Sequence, residues 1–346
     1  MNTLLETKPL LKEPRRSSLE LLRIVCMIFI VAHHFGVHGE YGDMQMSLFN
    51  QFILLVLKAG GKLGVNAYVL ISGYFLVNSR FKIKRILSTV GLAIFYSVIS
   101  YIAIMHVIPS VQFSASALFK SIFVIKNNGY WFVTCYVAMI LLSPFINKLI
   151  YALKEKEHLL LIIVLLFMQA FIPGMEEAYF SISPTGWFIT LYLIAAYIRL
   201  YPKGFLQSKK ITGFCSLALC TVIGLLSATR SMENIVCLSA AIFLFCFFNN
   251  LNIKTNRFIN LVSKTTFGIY LIHDNNYMRK ELWSRFLDCP FHAGQKSFWL
   301  FSACAVTLVF VVCSLIELLR IGLTSLATRI IKKIHSKIKA KKQPQA

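Results

Sequence analysis

Arg23 and His34 are the two residues whose types and spacing most invite chemistry. They lie in an apolar stretch, Ser17 to His38 (SSLELLRIVCMIFIVAHHFGVH), which also carries Glu20 and His33. An imidazole that titrates near physiological pH can carry a proton, and a guanidinium that is always charged can hold an anion. On a helix, eleven residues at about 100° each bring both side chains to nearly the same face, roughly 16 Å apart along the axis. That is about half the hydrocarbon thickness of a bilayer. Ionisable groups inside an apolar span are costly without a partner or a watery cavity, so the pair reads as functional. The competing reading is structural: Arg23 snorkels to the headgroups and His34 hydrogen-bonds a neighbouring helix.

The elements that must position this pair are themselves apolar. The 346 residues are 57% hydrophobic, with a mean hydropathy of +0.67. A soluble domain lies nearer about 45–50% apolar, so the chain reads as an integral membrane protein. Its net charge of +22 comes from 36 Lys and Arg against 14 Asp and Glu. In such a protein this excess orients loops and meets anionic lipid, and no nucleic-acid partner is expected. The first apolar run follows a polar segment with Lys8, Lys12, Arg15 and Arg16, and no small-residue cleavage site follows it. It is expected to stay as a signal-anchor span. The nine cysteines show no metal-finger or CxxC spacing. They are expected to pack, and no metal is expected.

The expected architecture is all-α: a bundle of about ten transmembrane helices with both termini cytoplasmic. Ser17 and Glu20 have capping-box spacing and should open span one, about Leu19 to Val37. Phe52 to Leu57 is too short to cross, and AGGKLG (Ala59 to Gly64) should break the pattern before span two, Leu63 to Val77. Further spans read as 86–108, 130–150, 159–172, 187–200, 211–226, 235–248, 258–272 and 298–319. With alternating spans, most Lys and Arg fall on one side, including Arg80 to Arg85 and the tail after Arg320. The segments are then 1–16, a membrane domain 17–320, and a basic tail 321–346 suited to anionic lipid.

The order of four sequence blocks resembles the acyltransferase type 3 family of membrane enzymes. ELLR with Arg23, ten intervening residues and His34 looks like that family's R-x10-H signature. GVNAYVLISGYFL is similar to its second-span block, and NGYWFVTCYVAMILLSPFIN and SKTTFGIYLIHDN to later ones. The resemblance covers Ser17 to Leu319. It implies transfer of an acyl group, commonly acetyl, from coenzyme A to hydroxyls of surface polysaccharides or lipid-linked sugars. It also implies a multi-pass place in the membrane, here expected to be a bacterial cytoplasmic membrane. Lys82 to Arg85 matches its basic [K/R]-x-x-R pattern, and Glu20 takes the acidic position three before the arginine. Asn66 departs from it, since many relatives carry an aspartate there.

On this resemblance His34 is the expected general base, taking the proton of a sugar hydroxyl that is otherwise a poor nucleophile. Arg23, Lys82, Lys84 and Arg85 are expected to hold the phosphates of acyl-CoA. A covalent acyl-histidine relay stays open beside direct transfer. Acceptor or cavity residues are sought among Glu20, Asn66, Tyr68, Ser72, Tyr74, Tyr130, Trp131 and His273. The alternatives are a multi-span carrier or flippase of a lipid-linked sugar, which usually shows repeated halves, and a scaffold whose polar residues only join helices.

Overall fold

The computed structural model describes residues 15–42, 44–127, 129–171, 184–226 and 233–341, and among these only helices, turns and connections occur. Apolar segments that must satisfy every backbone group without water have no simpler solution. α1 spans Ser17–His38 and α2 Leu48–Leu76; together they form the most extensive helix pair. The capping box expected at the start of α1 does not form, because Arg16 holds the cap position without a side-chain bond. A distant segment docks on this end and takes both side chains. Ser17 Oγ donates to Asn260 Oδ1 (3.1 Å) and accepts from the Asn256 amide (2.9 Å), while Glu20 accepts from Ser263 Oγ at 2.6 Å.

α2 corrects a second expectation. Its glycines do not break the helix, which runs unbroken from its Ser47 cap through AGGKLG. They face α1 instead. A Cβ on Gly64 would lie 2.7 Å from the Cys26 carbonyl oxygen, and Gly60 and Gly61 sit against Phe29 and His33. Small residues let two backbones approach closely, and that approach holds the helix together where propensity alone would end it.

The chain continues as α3 (Ile83–Val107), α4 (Ala115–Ile122), α5 (Trp131–Ala152) and α6 (Glu155–Phe171). Then come α7 (Pro184–Leu200), α8 (Gly204–Gln207), α9 (Lys209–Leu226) and α10 (Glu233–Asn249). The span expected at 258–272 is broken into α11 (Arg257–Val262), a 3₁₀ turn (Ser263–Thr265) and α12 (Thr266–His273). Thr265 and Thr266 donate to the carbonyls of Val262 and Ser263 (2.7 and 2.9 Å), so side chains compete with the helical ladder there. After a π turn (Glu281–Phe286) and α13 (Cys289–His292), α14 runs Phe298–Lys341. The tail expected over 321–346 continues this helix without a break as far as Lys341, and 342–346 lie outside the described residues.

Among the described residues, five helices are long and apolar enough to cross a bilayer: α1, α2, α3, α5 and α14, the last counted as far as Ser336. α10 contains a shorter apolar helix over Ile235–Asn249. α2 packs on α7 and α10, and α1 on α12 and α14. The inward face of α1 buries Leu22, Cys26, Val31 and Phe35 completely. Elsewhere large apolar side chains such as Phe145, Phe214 and Leu315 point outward. Helices that are apolar on both faces suit lipid on one side and protein on the other.

Candidate active site

α1 carries one continuous stripe, Arg23, Met27, Ile30 and His34, at spacings of four, three and four residues. Met27, Ile30 and His34 open onto a cavity of about 750 Å³ between α1, α2, α5, α7 and α12. Trp131, Phe132, Trp187 and Phe188 supply its aromatic wall, and Asn66, Tyr68 and Lys62 enter from α2. Flat aromatic faces with a few polar atoms suit an amphipathic small ligand.

The hydrogen bonds select the nitrogen that can act. His273, fully buried at the end of α12, has Nδ1 2.6 Å from the Ile269 carbonyl oxygen. A carbonyl only accepts, so Nδ1 bears the proton and Nε2 of the neutral ring is an acceptor. His34 Nδ1 lies 2.8 Å from that Nε2 and must donate to it. The neutral His34 ring therefore carries its lone pair on Nε2. The Oδ1 atom of Asp274 stands 3.7 Å from His34 Nε2, 3.6 Å from His38 Nε2 and 2.9 Å from Arg279 Nε. His33 also lines the cavity, and its Nδ1 donates to the Lys58 carbonyl at 2.5 Å.

The His34, His38 and Asp274 atoms lie within 4.8 Å of one another and are ligand types found around transition metals. The Arg279 guanidinium already brings positive charge to the same carboxylate oxygen. The i, i+4 pair of histidines is visible in the sequence. Asp274 comes to it only through the packing of α12 on α1.

The other expected residues divide. Tyr68 faces the cavity with its hydroxyl 3.3 Å from Thr266 Oγ1. Asn66 accepts from Trp187 Nε1 at 2.8 Å, so it braces the cavity wall and does not orient His34. Tyr130 is buried beneath the site, accepting from Asn275 Nδ2 (2.5 Å) and donating to the Leu271 carbonyl (2.8 Å). It thereby pins the turn that holds His273 and Asp274. Ser72 bonds within its own helix, to the Tyr68 carbonyl, and does not line the cavity. Tyr74 also stands outside it, beneath the Arg199 guanidinium at 4.3 Å.

Arg23 is one turn beyond Met27 and does not line the cavity. Its guanidinium pairs with Glu20 at 3.2 Å, and its charge lies within reach of Tyr68 and Tyr136. Glu20 also faces Arg15 at 3.6 Å. Lys82 and Lys84 are exposed at the start of α3, at the same end of the bundle as Arg23, and Arg85 is half-buried beside Ser79. The structure thus gathers His34, Asn66, Tyr68 and Trp131 at the cavity, with His273 buried against His34 and the cationic residues at one end.

Compared with family models, residues 16–318 match the one described as an acyltransferase domain. The comparisons with curated proteins and with solved structures give no match.

Proposed function

We infer the reaction from one premise: the chain belongs to the acyltransferase type 3 family. It is a multi-pass membrane acyltransferase. The proposal is that it moves an acyl group, most simply acetyl, from coenzyme A to a hydroxyl of a surface polysaccharide or lipid-linked sugar. The membrane proposed is the bacterial cytoplasmic membrane, crossed about ten times with both termini cytoplasmic. The asymmetric placement of Lys and Arg supports that orientation.

One observation carries the reading: His34 lines an aromatic-walled cavity, and its neutral ring, held in one tautomer by His273, keeps its lone pair on Nε2. In the proposed step His34 Nε2 takes the proton of the acceptor hydroxyl as its oxygen bonds to the thioester carbonyl carbon. The carbon–sulfur bond then breaks, and the proton passes from His34 to the departing sulfur. The products are an acyl ester and a free thiol, and His34 returns to its starting state. Arg23, Lys82, Lys84 and Arg85 would draw the nucleotide phosphates to the cytoplasmic end. The extended pantetheine arm would bridge the roughly 16 Å from Arg23 to His34.

The test uses the purified protein in lipid nanodiscs with isotope-labelled acetyl-CoA, alongside mass spectrometry of surface glycans from cells with and without the gene. Release of free thiol and loss of glycan esters on deletion are expected. His34→Ala should abolish transfer while elution and melting stay unchanged; undiminished transfer by that variant removes His34 from the mechanism.

A further inference from the structure

We propose that Asp274 is the positioning carboxylate of this site, silent while His34 is neutral and engaged when His34 is protonated. The proposal rests on the reading of His34 as base. Asn66 on α2 gives its amide oxygen to Trp187. The carboxylate reaches the imidazole from another helix. Asp274 caps α12, is only 2% exposed, and has Oδ1 3.7 Å from His34 Nε2.

At that distance no hydrogen bond exists, and the tautomer explains why. His34 Nδ1–H points at His273, so in the neutral ring Nε2 and Oδ1, 3.7 Å apart, are both acceptors. No well-directed hydrogen bond reaches Oδ1, although Arg279 Nε stands 2.9 Å away. Once Nε2 takes the hydroxyl proton, the ring becomes a cation with a buried carboxylate oxygen 3.7 Å from that nitrogen. The contact is favourable only after proton transfer has begun, and an interaction of that kind lowers the barrier without tightening the ground state. Arg279 sets a positive charge 2.9 Å from the same oxygen and so moderates the pull of Asp274 on His34.

The titratable groups around His34 are His33 and His38 on α1, Lys62 and Tyr68 on α2, and Cys135 on α5. α12 adds Tyr270, His273 and Asp274, with Arg279 behind the carboxylate. Asp274 is the anion of this set. Removing it or its arginine breaks the same ion pair but changes the charge near His34 in opposite directions.

The test compares Asp274→Asn with Arg279→Gln in the full-length protein, reading kcat, donor KM and the pH profile of kcat. Asp274→Asn is expected to lower kcat about 10²-fold at unchanged donor KM and to move the acid limb to lower pH. Arg279→Gln is expected to keep kcat within about threefold and to move the limb to higher pH. Equal losses with no movement of the limb would mean that the pair only holds the fold. Full kcat in Asp274→Asn beside a dead His34→Ala would overturn this proposal and leave the base reading intact. Activity in His34→Ala would sink the base reading itself. If Asp274→Asn does not elute as a single species, Arg279→Gln decides alone, and a fixed or falling limb refutes the role.

Discussion

Replacing Gly64 with alanine tests whether the glycines of α2 exist for close packing. The added Cβ would stand 2.7 Å from the Cys26 carbonyl oxygen, 3.1 Å from Ile30 Cγ1 and 3.2 Å from Phe29 Cβ. Ordinary contact begins near 3.4 Å, so α1 and α2 must separate by about 0.7 Å against a backbone atom that cannot rotate away. Overpacking of this kind costs about 1–3 kcal/mol. It also moves His34, which rides on α1, and a shift approaching 1 Å at a reacting centre costs up to about 10²-fold in rate. Gly91 on α3 is the control, because a Cβ there would meet nothing within 4 Å. At that position alanine should stabilise by about 0.5–1 kcal/mol through helix propensity. The assay is thermal unfolding in detergent, followed by size-exclusion fluorescence, with transfer measured on the same samples. Equal melting of Gly64→Ala and wild type would refute the close-packing role.

Two further outcomes follow from the surface and the connecting segments. Lys82→Ala with Lys84→Ala should raise the donor KM several-fold with kcat unchanged, and the difference should shrink as salt screens exposed charge. Steady-state kinetics at low and high ionic strength would show it; a salt-independent change would point to a structural effect. Cys289, buried beside Tyr41, has its thiol pushed up to about 12 by burial, so the unreactive thiol form prevails throughout the neutral range. A charged maleimide at about pH 8, near the ordinary thiol pKa, should leave it unlabelled in the native protein and label it after denaturation, as read by intact mass.

The long apolar helices α1, α3, α5 and the apolar half of α14 were legible because a bilayer demands long unbroken runs, and the Arg23-to-His34 stripe because eleven residues nearly complete three helical turns. The continuity of α2 was not. Glycine reads as a breaker in isolation, and only the neighbouring backbone of α1 reveals it as a packing surface. The capping-box spacing at Ser17 misled for a similar reason: partners near Asn256 and Ser263 bind those side chains more completely than the local amides could. Asp274 was hidden because its value depends on α12 docking beside α1, and no local pattern encodes that meeting. Asn66, by contrast, was visible as a departure, and its bond to Trp187 shows where its amide went.

The chain of donors that selects the reactive nitrogen begins at the main-chain oxygen of Ile269. No mutation of a side chain deletes that oxygen, so drift in the surrounding helices can alter the rate yet leave unchanged which atom of the ring is offered. Position 273, one link further along, has no such protection. A replacement there must still present a lone pair toward α1, or the imidazole of His34 is free to turn over and hide the one it needs.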